Sequence, residues 1–255
     1  MTLTLTPLPG IPLIHPDDDL PKIILQALER ARIALQEGDI LVLAQKIVSK
    51  AQGRLVNLTT VTPSERTLAL AADTEKDPRL LEVILQESAA VLRTRPGSII
   101  VEHRLGFVCA NAGIDHSNVA GEGNPAEEWV LLLPEDPDAT ALDIRGQLEA
   151  ASGVHLGVLI IDSHGRAWRL GTVGVAIGLS GLPGLVDLRG RVDLFGYTLR
   201  ITQVGVADEL AAAASLLMGQ AAEGTPVVHV RGFPYPLREG SLREILRPKD
   251  QDLFR

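Results

Sequence analysis

The 255-residue chain has a single cysteine, few aromatic residues and no long apolar segment. Because Cys109 is the only cysteine, no internal disulfide can form, and a reducing compartment fits the sequence. Aromatic residues make up 3% of the chain, which disfavours nucleic-acid binding by base stacking. No apolar run reaches the ~18 residues that a membrane-spanning helix needs, and no leader segment is evident. We therefore expect a cytoplasmic protein that binds neither nucleic acid nor a membrane.

The common signatures of nucleotide-binding and hydrolytic enzymes are also missing. The chain has no GxxxxGK[ST] P-loop, no GxGxxG after a predicted strand, and no HExxH, CxxC or GxSxG. Its formal net charge of −8 argues against a nucleic-acid-binding surface, which usually carries a basic stripe. A local basic pocket for an anionic small molecule remains compatible with that charge. Any nucleotide must therefore be bound without a P-loop.

Short apolar runs and helix-start signals follow one another irregularly along the chain. Ile40 to Ala44 and Val154 to Ile161 are predicted to be buried strands, and Leu199 to Val206 a further strand. The polar stretch 121–128 is expected to be a loop, and Cys109 a buried, unreactive thiol. Without regular βαβ alternation, the sequence predicts an α+β fold with mixed sheets of irregular order.

Two separate Asp-bearing segments are the strongest chemical signal. Asp115 and Asp162 each follow an apolar run, so each is expected where a strand ends and a loop begins. Carboxylates beside oxygen donors such as Ser163 suit hard cations such as Mg2+ or Mn2+. The alternative is that both only make hydrogen bonds within turns. The adjacent His116 and His164 are expected to be variable loop residues rather than catalytic bases.

Basic residues provide candidate anion sites. Lys46 and Lys50 follow a buried strand where a helix is predicted to begin, and helix N-termini favour phosphate. A solvated surface helix is the alternative for these lysines. Arg166 and Arg169 would suit an anion or substrate clamp, and an exposed, salt-bridged loop is the alternative there.

A series of segments, in order along nearly the whole chain, resembles the coenzyme F420-0:gamma-glutamyl ligase family. These segments are residues 10–14, 47–54, 62–66, 111–118, 162–166, 174–178, 206–209, 217–219 and 230–232. A single one of these matches would be weak, but their common order is specific. The resemblance implies one domain over residues 1–255, built of two intimately packed α+β parts. We expect the form without the nitroreductase-like extension that some relatives carry.

The resemblance also implies an activity. Members are GTP- and divalent-metal-dependent ligases that add L-glutamate to coenzyme F420-0 in coenzyme F420 biosynthesis. GTP phosphorylates the carboxylate of the acceptor's lactyl tail, and the glutamate amine attacks the acyl phosphate, so that GDP and phosphate are released. The resemblance further implies Mg2+ or Mn2+ at two sites, with K+ as an additional cofactor. It also implies a homodimer with sites at the subunit interface.

Site residues follow from the resemblance position by position. Metal ligands are implied at Asp115, Asp162, Ser163 and Gln220. Gln220 is Glu in some members, so a neutral amide oxygen is offered here, and Glu223 is an alternative ligand. Ser and Thr replace Gln45 and Lys46 in some members. The implied nucleotide contacts are Gly10, Ile11, Pro12, Leu13, Gln45, Lys46, Lys50, Asn118, Met218, Gly219, Ala221, Ala222, Glu223, Gly224 and Thr225.

Two other functions remain open at this point. A paralogous GTP-dependent amide ligase with a different acceptor would keep the same metal and phosphate residues. A non-catalytic deazaflavin-binding protein would be compatible with the neutral Gln220. Binding alone needs no metal-phosphate site. That binding protein is therefore disfavoured by the joint presence of Asp115, Asp162, Ser163, Lys50 and Asn118.

Overall fold

The computed structural model describes residues 2–119 and 128–253. The loop predicted at 121–128 therefore lies outside the described residues, apart from Glu128. The strands are β1 (Thr4–Pro7), β2 (Ile40–Ala44), β3 (Leu55–Asn57), β4 (Ser88–Arg95), β5 (Ser98–His103), β6 (Val108–Ala110), β7 (Trp129–Leu131), β8 (Gly157–Gly165), β9 (Thr172–Ser180), β10 (Val186–Asp187), β11 (Gln203–Val204) and β12 (Val227–Arg231). The α-helices are α1 (Leu20–Arg30), α2 (Gln45–Ala51), α3 (Glu65–Thr74), α4 (Pro78–Gln86), α5 (Pro137–Ser152) and α6 (Val206–Met218).

A five-stranded mixed sheet forms the centre of the fold, with strand order β1-β12-β2-β8-β9. β2 and β8 are parallel, and every other neighbouring pair is antiparallel. β1, β2 and β8 therefore point the same way, and their carboxyl ends meet at one edge of the sheet. The mixed sheet, with helices that do not follow a βαβ order, confirms the α+β class.

Helices cover both faces of this sheet. Alternate residues of a strand face opposite sides, so Leu41 and Leu43 of β2 pack with α1 and α5. Ile40 and Val42 pack on the other side with α6, whose inner surface includes three alanines. Asp19 begins α1 by accepting a hydrogen bond from the Lys22 backbone N–H at 3.0 Å. The sheet is thus buried on both faces, as its continuous apolar strands indicate.

The segment from β3 to β7 folds beside the central sheet with its own apolar clusters. β4, β5 and β6 form an antiparallel sheet, and β3 pairs with β7. Leu81 and Ile84 of α4 pack against Ile99 and Val101 of β5. A division of the chain into two intimately packed parts stays a prediction.

At the edge of the central sheet opposite the carboxyl ends of β1, β2 and β8, the buried carboxylate of Asp39 connects β2 to β12. Asp39, which precedes β2, accepts a hydrogen bond from His229 Nε2 at 2.8 Å and from Arg231 Nε at 2.8 Å. Burial raises the pKa of Asp39, but the bonds from Arg231 and His229 outweigh it and hold the pKa below its usual value. These bonds join the start of β2 to the end of β12.

Two predicted strand boundaries were wrong. β8 runs past Ile161 to Gly165, because Asp162 to Gly165 continue to pair with β9, so Asp162 lies inside the strand. The predicted strand 199–206 shrinks to β11, which pairs with β10 at the base of a projecting hairpin, the arm (residues 186–204). Within residues 2–119 and 128–253, no helix has both the length and the apolarity needed to cross a bilayer.

Small residues in β9 allow close helix packing, and this gives a stability prediction. A Cβ at Gly178 would lie 2.7 Å from the Pro137 carbonyl oxygen of α5. Gly178→Ala should therefore lower the free energy of unfolding by roughly 1–3 kcal/mol through overpacking. Gly146→Ala, in open space on α5, is the matched control and should raise it by up to ~1 kcal/mol. Urea denaturation of both variants measures this, and a Gly178→Ala protein as stable as wild type would contradict the packing.

Candidate active site

A cavity of about 1180 Å³ opens at the edge where the carboxyl ends of β1, β2 and β8 meet. All four predicted metal ligands line it, which are Asp115, Asp162, Ser163 and Gln220. The predicted nucleotide residues also line it, with the exception of Gly10, whose carbonyl oxygen instead accepts a hydrogen bond from Arg30. The fold thus brings together residues that lie far apart in the sequence.

Asp115 reaches the cavity from a tight turn after β6. Asn111 and Ala112 both have a φ of 53°, and Ala112 is fully buried in this turn. Left-handed backbone is uncommon outside glycine and costs about 1–3 kcal/mol at such a residue. Asp115 then pairs with Leu131 through two backbone hydrogen bonds of 3.0 and 2.9 Å. The backbone that carries the Asp115 side chain is therefore fixed in place.

The Asp115 carboxylate has two partners from α2. Gln45 Nε2 donates to Asp115 Oδ2 at 2.7 Å, and Lys46 Nζ lies 3.4 Å from the same oxygen. Burial, together with the nearby charge of Asp162, raises the pKa of Asp115 to about 6, and Lys46 opposes that rise. The two carboxylates therefore lie close enough to repel, and a cation between them would relieve the repulsion.

Asp162 is held from its own strand. His164 lies two residues further along β8, and its Nε2 is 2.9 Å from Asp162 Oδ2. Both side chains are almost completely buried. Residues two apart on a strand share a face, so this pairing was visible in the sequence but was missed. His164 is therefore a positioning residue for Asp162 rather than a variable loop residue.

Gln45 also positions Asp115, which the resemblance did not imply. Ser49 Oγ donates to Gln45 Oε1 at 2.9 Å, and both side chains are buried on α2. This bond fixes the amide so that its Nε2 points to Asp115. The spacing of four residues on a predicted helix was the signal available in the sequence.

Lys50 lines the cavity one turn after Lys46, and burial, then the charge of Lys46, lowers its pKa.

The segment 218–225 forms the opposite wall of the cavity. α6 ends at Met218 and is followed by Gly219, which has a φ of 72°. The Glu223 carboxylate folds back to accept a hydrogen bond from the Ala221 N–H at 2.8 Å. Asn118 Nδ2 donates to the Ala221 carbonyl oxygen at 2.9 Å. This bond joins the wall to the segment after β6 that carries Asp115 and Asn118, the Asp115 loop. Gln220 Nε2 donates to Ser215 Oγ at 3.2 Å.

Some predicted residues lie elsewhere. Arg166 and Arg169 are not among the residues that line the cavity, and Arg166 donates to the Gly171 carbonyl oxygen at 3.1 Å. Their function as a clamp stays a prediction. Cys109 is buried as expected, and burial, then the charge of Asp162, raises the pKa of its thiol to about 12. Such a thiol is not a nucleophile near neutral pH.

The oxygen atoms of these side chains fit a hard cation that also binds water or substrate phosphates. Within residues 2–119 and 128–253, no group of three His, Cys, Asp or Glu side chains is arranged to hold a metal ion. Asp115 and Asp162 provide two carboxylates, and Ser163, which also lines the cavity, provides a hydroxyl. Mg2+ in particular is usually bound by one or two carboxylates together with water and substrate phosphates.

Comparison with known proteins identifies the family. The model of the F420-0:gamma-glutamyl ligase family matches residues 10–232. The chain belongs to this family. It is therefore a ligase that forms a carbon–nitrogen bond.

Several curated relatives match over their full length. The coenzyme F420:L-glutamate ligase of Methanothermobacter thermautotrophicus is 46% identical over 258 residues, with 100% of each chain covered. That of Methanopyrus kandleri is 47% identical, with 100% of this chain and 98% of the relative covered. That of Archaeoglobus fulgidus is 41% identical, with 100% and 97% covered. The similarity thus includes every element that lines the cavity.

The raised pKa of Asp115 predicts how the metal-free protein responds to pH. Because the folded pKa of about 6 exceeds the ordinary value of 3.8, the ionised carboxylate costs folding free energy above pH 6. The cost disappears below 3.8, where the group is neutral in both states. Asp115→Asn should therefore raise the free energy of unfolding by about 1–3 kcal/mol at pH 8, and by much less near pH 4.

Urea denaturation at both pH values, with chelator present, measures this difference. Asp143→Asn, at an exposed position on α5, is the matched control and should change stability little at either pH. An Asp115→Asn protein that is no more stable than wild type at pH 8 would contradict the buried, repelled carboxylate.

Proposed function

We propose that the protein adds L-glutamate to coenzyme F420-0 in coenzyme F420 biosynthesis, with GTP as co-substrate and Mg2+ or Mn2+ as cofactor. One observation carries the proposal: Asp115 and Asp162 meet Lys46 and Lys50 in one cavity, in a chain that belongs to the F420-0:gamma-glutamyl ligase family. Carboxylates for a cation and lysines for phosphates are what phosphoryl transfer from a nucleotide requires. A cytoplasmic location is part of the same proposal.

The walls of the cavity support nucleotide binding without a P-loop. Lys46 and Lys50 bring positive charge to one wall, and the segment 218–225 brings backbone groups to the other. Asn118 joins the two walls through its bond to Ala221. The volume exceeds the range of roughly 300–1,000 Å³ of ordinary small-molecule pockets, which suits a nucleotide together with an acceptor.

The proposed reaction has two steps. An oxygen of the acceptor's lactyl carboxylate attacks the γ-phosphorus of GTP, and GDP leaves. The glutamate amine then attacks the acyl carbon, so that a C–N bond forms, phosphate leaves and the nitrogen loses a proton. Asp115 and Asp162 would hold a divalent cation, which offsets the phosphate charge and orients the transfer. The cavity walls would shield the acyl phosphate from water. Ser163 and Gln220 as ligands of a second cation, and K+, stay proposals.

Asp162→Asn tests the proposed metal-dependent chemistry. The substitution keeps the side-chain shape and an oxygen for His164 but removes the charge. Loss of a side chain that only hydrogen-bonds to a metal ligand typically lowers metal affinity or activity by roughly 10–100-fold. Loss of a ligand carboxylate itself should therefore lower the rate of glutamate addition by about 100-fold or more. Mass spectrometry of the products measures this, and the melting temperature shows that the variant folds. Asp143→Asn is the matched control, and full activity of Asp162→Asn would remove Asp162 from the metal site.

The arm supports the proposal that the protein is a homodimer. Its tip is turned by Asp193, whose Oδ1 accepts from the backbone N–H groups of Phe195 and Tyr197 at 2.8 and 2.9 Å. Leu194 is 98% exposed and Phe195 is 95% exposed in the single chain. Large apolar side chains grouped on a projecting hairpin mark an interaction surface. A second copy of the chain is the partner that the family resemblance implies.

Replacing both Leu194 and Phe195 by Asp tests this interface. The wild-type protein should sediment as a dimer and the double variant as a monomer, because two charges would be buried at the contact. Leu142→Asp, at a half-exposed position on α5, is the control and should leave the dimer intact. A monomeric wild type would refute the dimer, and a dimeric double variant would place the interface elsewhere.

A further inference from the structure

Lys46 is anchored beside the Asp115 carboxylate rather than free in solvent. Its Nζ donates to the Ser117 carbonyl oxygen at 3.0 Å and to Ser117 Oγ at 2.9 Å, and lies 3.4 Å from Asp115 Oδ2. The ammonium thus makes two hydrogen bonds to Ser117 and an ion pair with Asp115. The side chain is 28% exposed. A full positive charge is thus built into the wall of the cavity at one of its two carboxylates.

The contacts of the two carboxylates fall on one oxygen of each. Asp115 Oδ2 contacts Gln45 and Lys46, and Asp162 Oδ2 contacts His164. Among the described residues, Oδ1 of each carboxylate is therefore the oxygen more open to a further ligand. One oxygen from each of two carboxylates matches a single divalent cation in number and in charge.

A second cation would have no carboxylate of its own. Gln220 offers only a neutral amide, and its Nε2 already bonds to Ser215 Oγ. The Glu223 carboxylate is turned back onto its own segment by the Ala221 N–H. Hard divalent cations are bound chiefly by carboxylates in proteins. The ammonium of Lys46 would also repel a second ion placed against Asp115.

We propose that the Lys46 ammonium takes the place of a second divalent cation, so that the nucleotide-free site binds one such ion between Asp115 and Asp162. Lys46 is then a positioning residue that sets the metal stoichiometry and holds the Asp115 loop against α2. This inference rests on the proposed metal dependence and, for the nucleotide-free protein, replaces the proposed second cation at Ser163 and Gln220.

The test is the number of Mn2+ ions bound per chain by the nucleotide-free protein, measured from the electron paramagnetic resonance signal of free Mn2+. Wild type should bind one ion, and Lys46→Met should bind two, with the first bound about tenfold more tightly once the opposing charge is gone. Lys46→Arg keeps the charge and should bind one. Lys22→Met, at an exposed position on α1 that does not line the cavity, is the matched control.

The outcomes separate this inference from the proposed function. Two ions on wild type, or one ion on Lys46→Met with unchanged affinity, would overturn the role of Lys46 and leave metal dependence in place. No bound Mn2+ on any of these proteins would overturn the metal site itself, and the inference with it. One ion on wild type and two on Lys46→Met alone would support it.

Discussion

The approach of two carboxylates, Asp115 and Asp162, is the interaction on which the cavity depends. Burial, and then the like charge of Asp162, raise the pKa of Asp115, so both effects oppose two ionised carboxylates in this site. The surrounding side chains oppose the repulsion one by one. Gln45 and Lys46 hold Asp115, and His164 holds Asp162. The fold thus stabilises an electrostatically unfavourable arrangement, and this is the basis of the proposed cation site.

The central sheet makes this approach possible. Because β2 and β8 are parallel neighbours, the start of α2 and the residue Asp162 lie at the same edge of the sheet. The loop that carries Asp115 reaches that edge through the pairing of Asp115 with Leu131. The hydrogen bond from Asn118 to Ala221 joins this loop to the opposite wall of the cavity. Close packing of Gly178 on α5 and the Asp39 cluster at the opposite edge stabilise the sheet. The strand β8 and the helix α2 thus carry Asp162, Lys46 and Lys50, and loops carry Asp115 and most of the segment 218–225.

Part of this arrangement could be predicted from the sequence. β2 was predicted residue for residue, because a short apolar run bounded by turn signals is a strong local pattern. The interior position of Asp162 in β8 was missed, since polar residues after an apolar run resemble a loop while pairing with β9 is a long-range effect. The contact of Lys46 with Ser117 spans 71 residues and has no local signal. The resemblance to a family placed these residues in one site, which local patterns alone left open.

We propose that this cavity joins glutamate to a deazaflavin acceptor, with GTP hydrolysed to GDP and phosphate. The most direct test incubates the purified protein with coenzyme F420-0, L-glutamate, GTP and Mn2+, with chelator and no-nucleotide controls, and analyses the products by mass spectrometry. The account predicts products that are heavier by one or more glutamyl units, formed only when both metal and GTP are present. Absence of such products, from a folded protein that still binds GTP, would contradict it and point to a different acceptor.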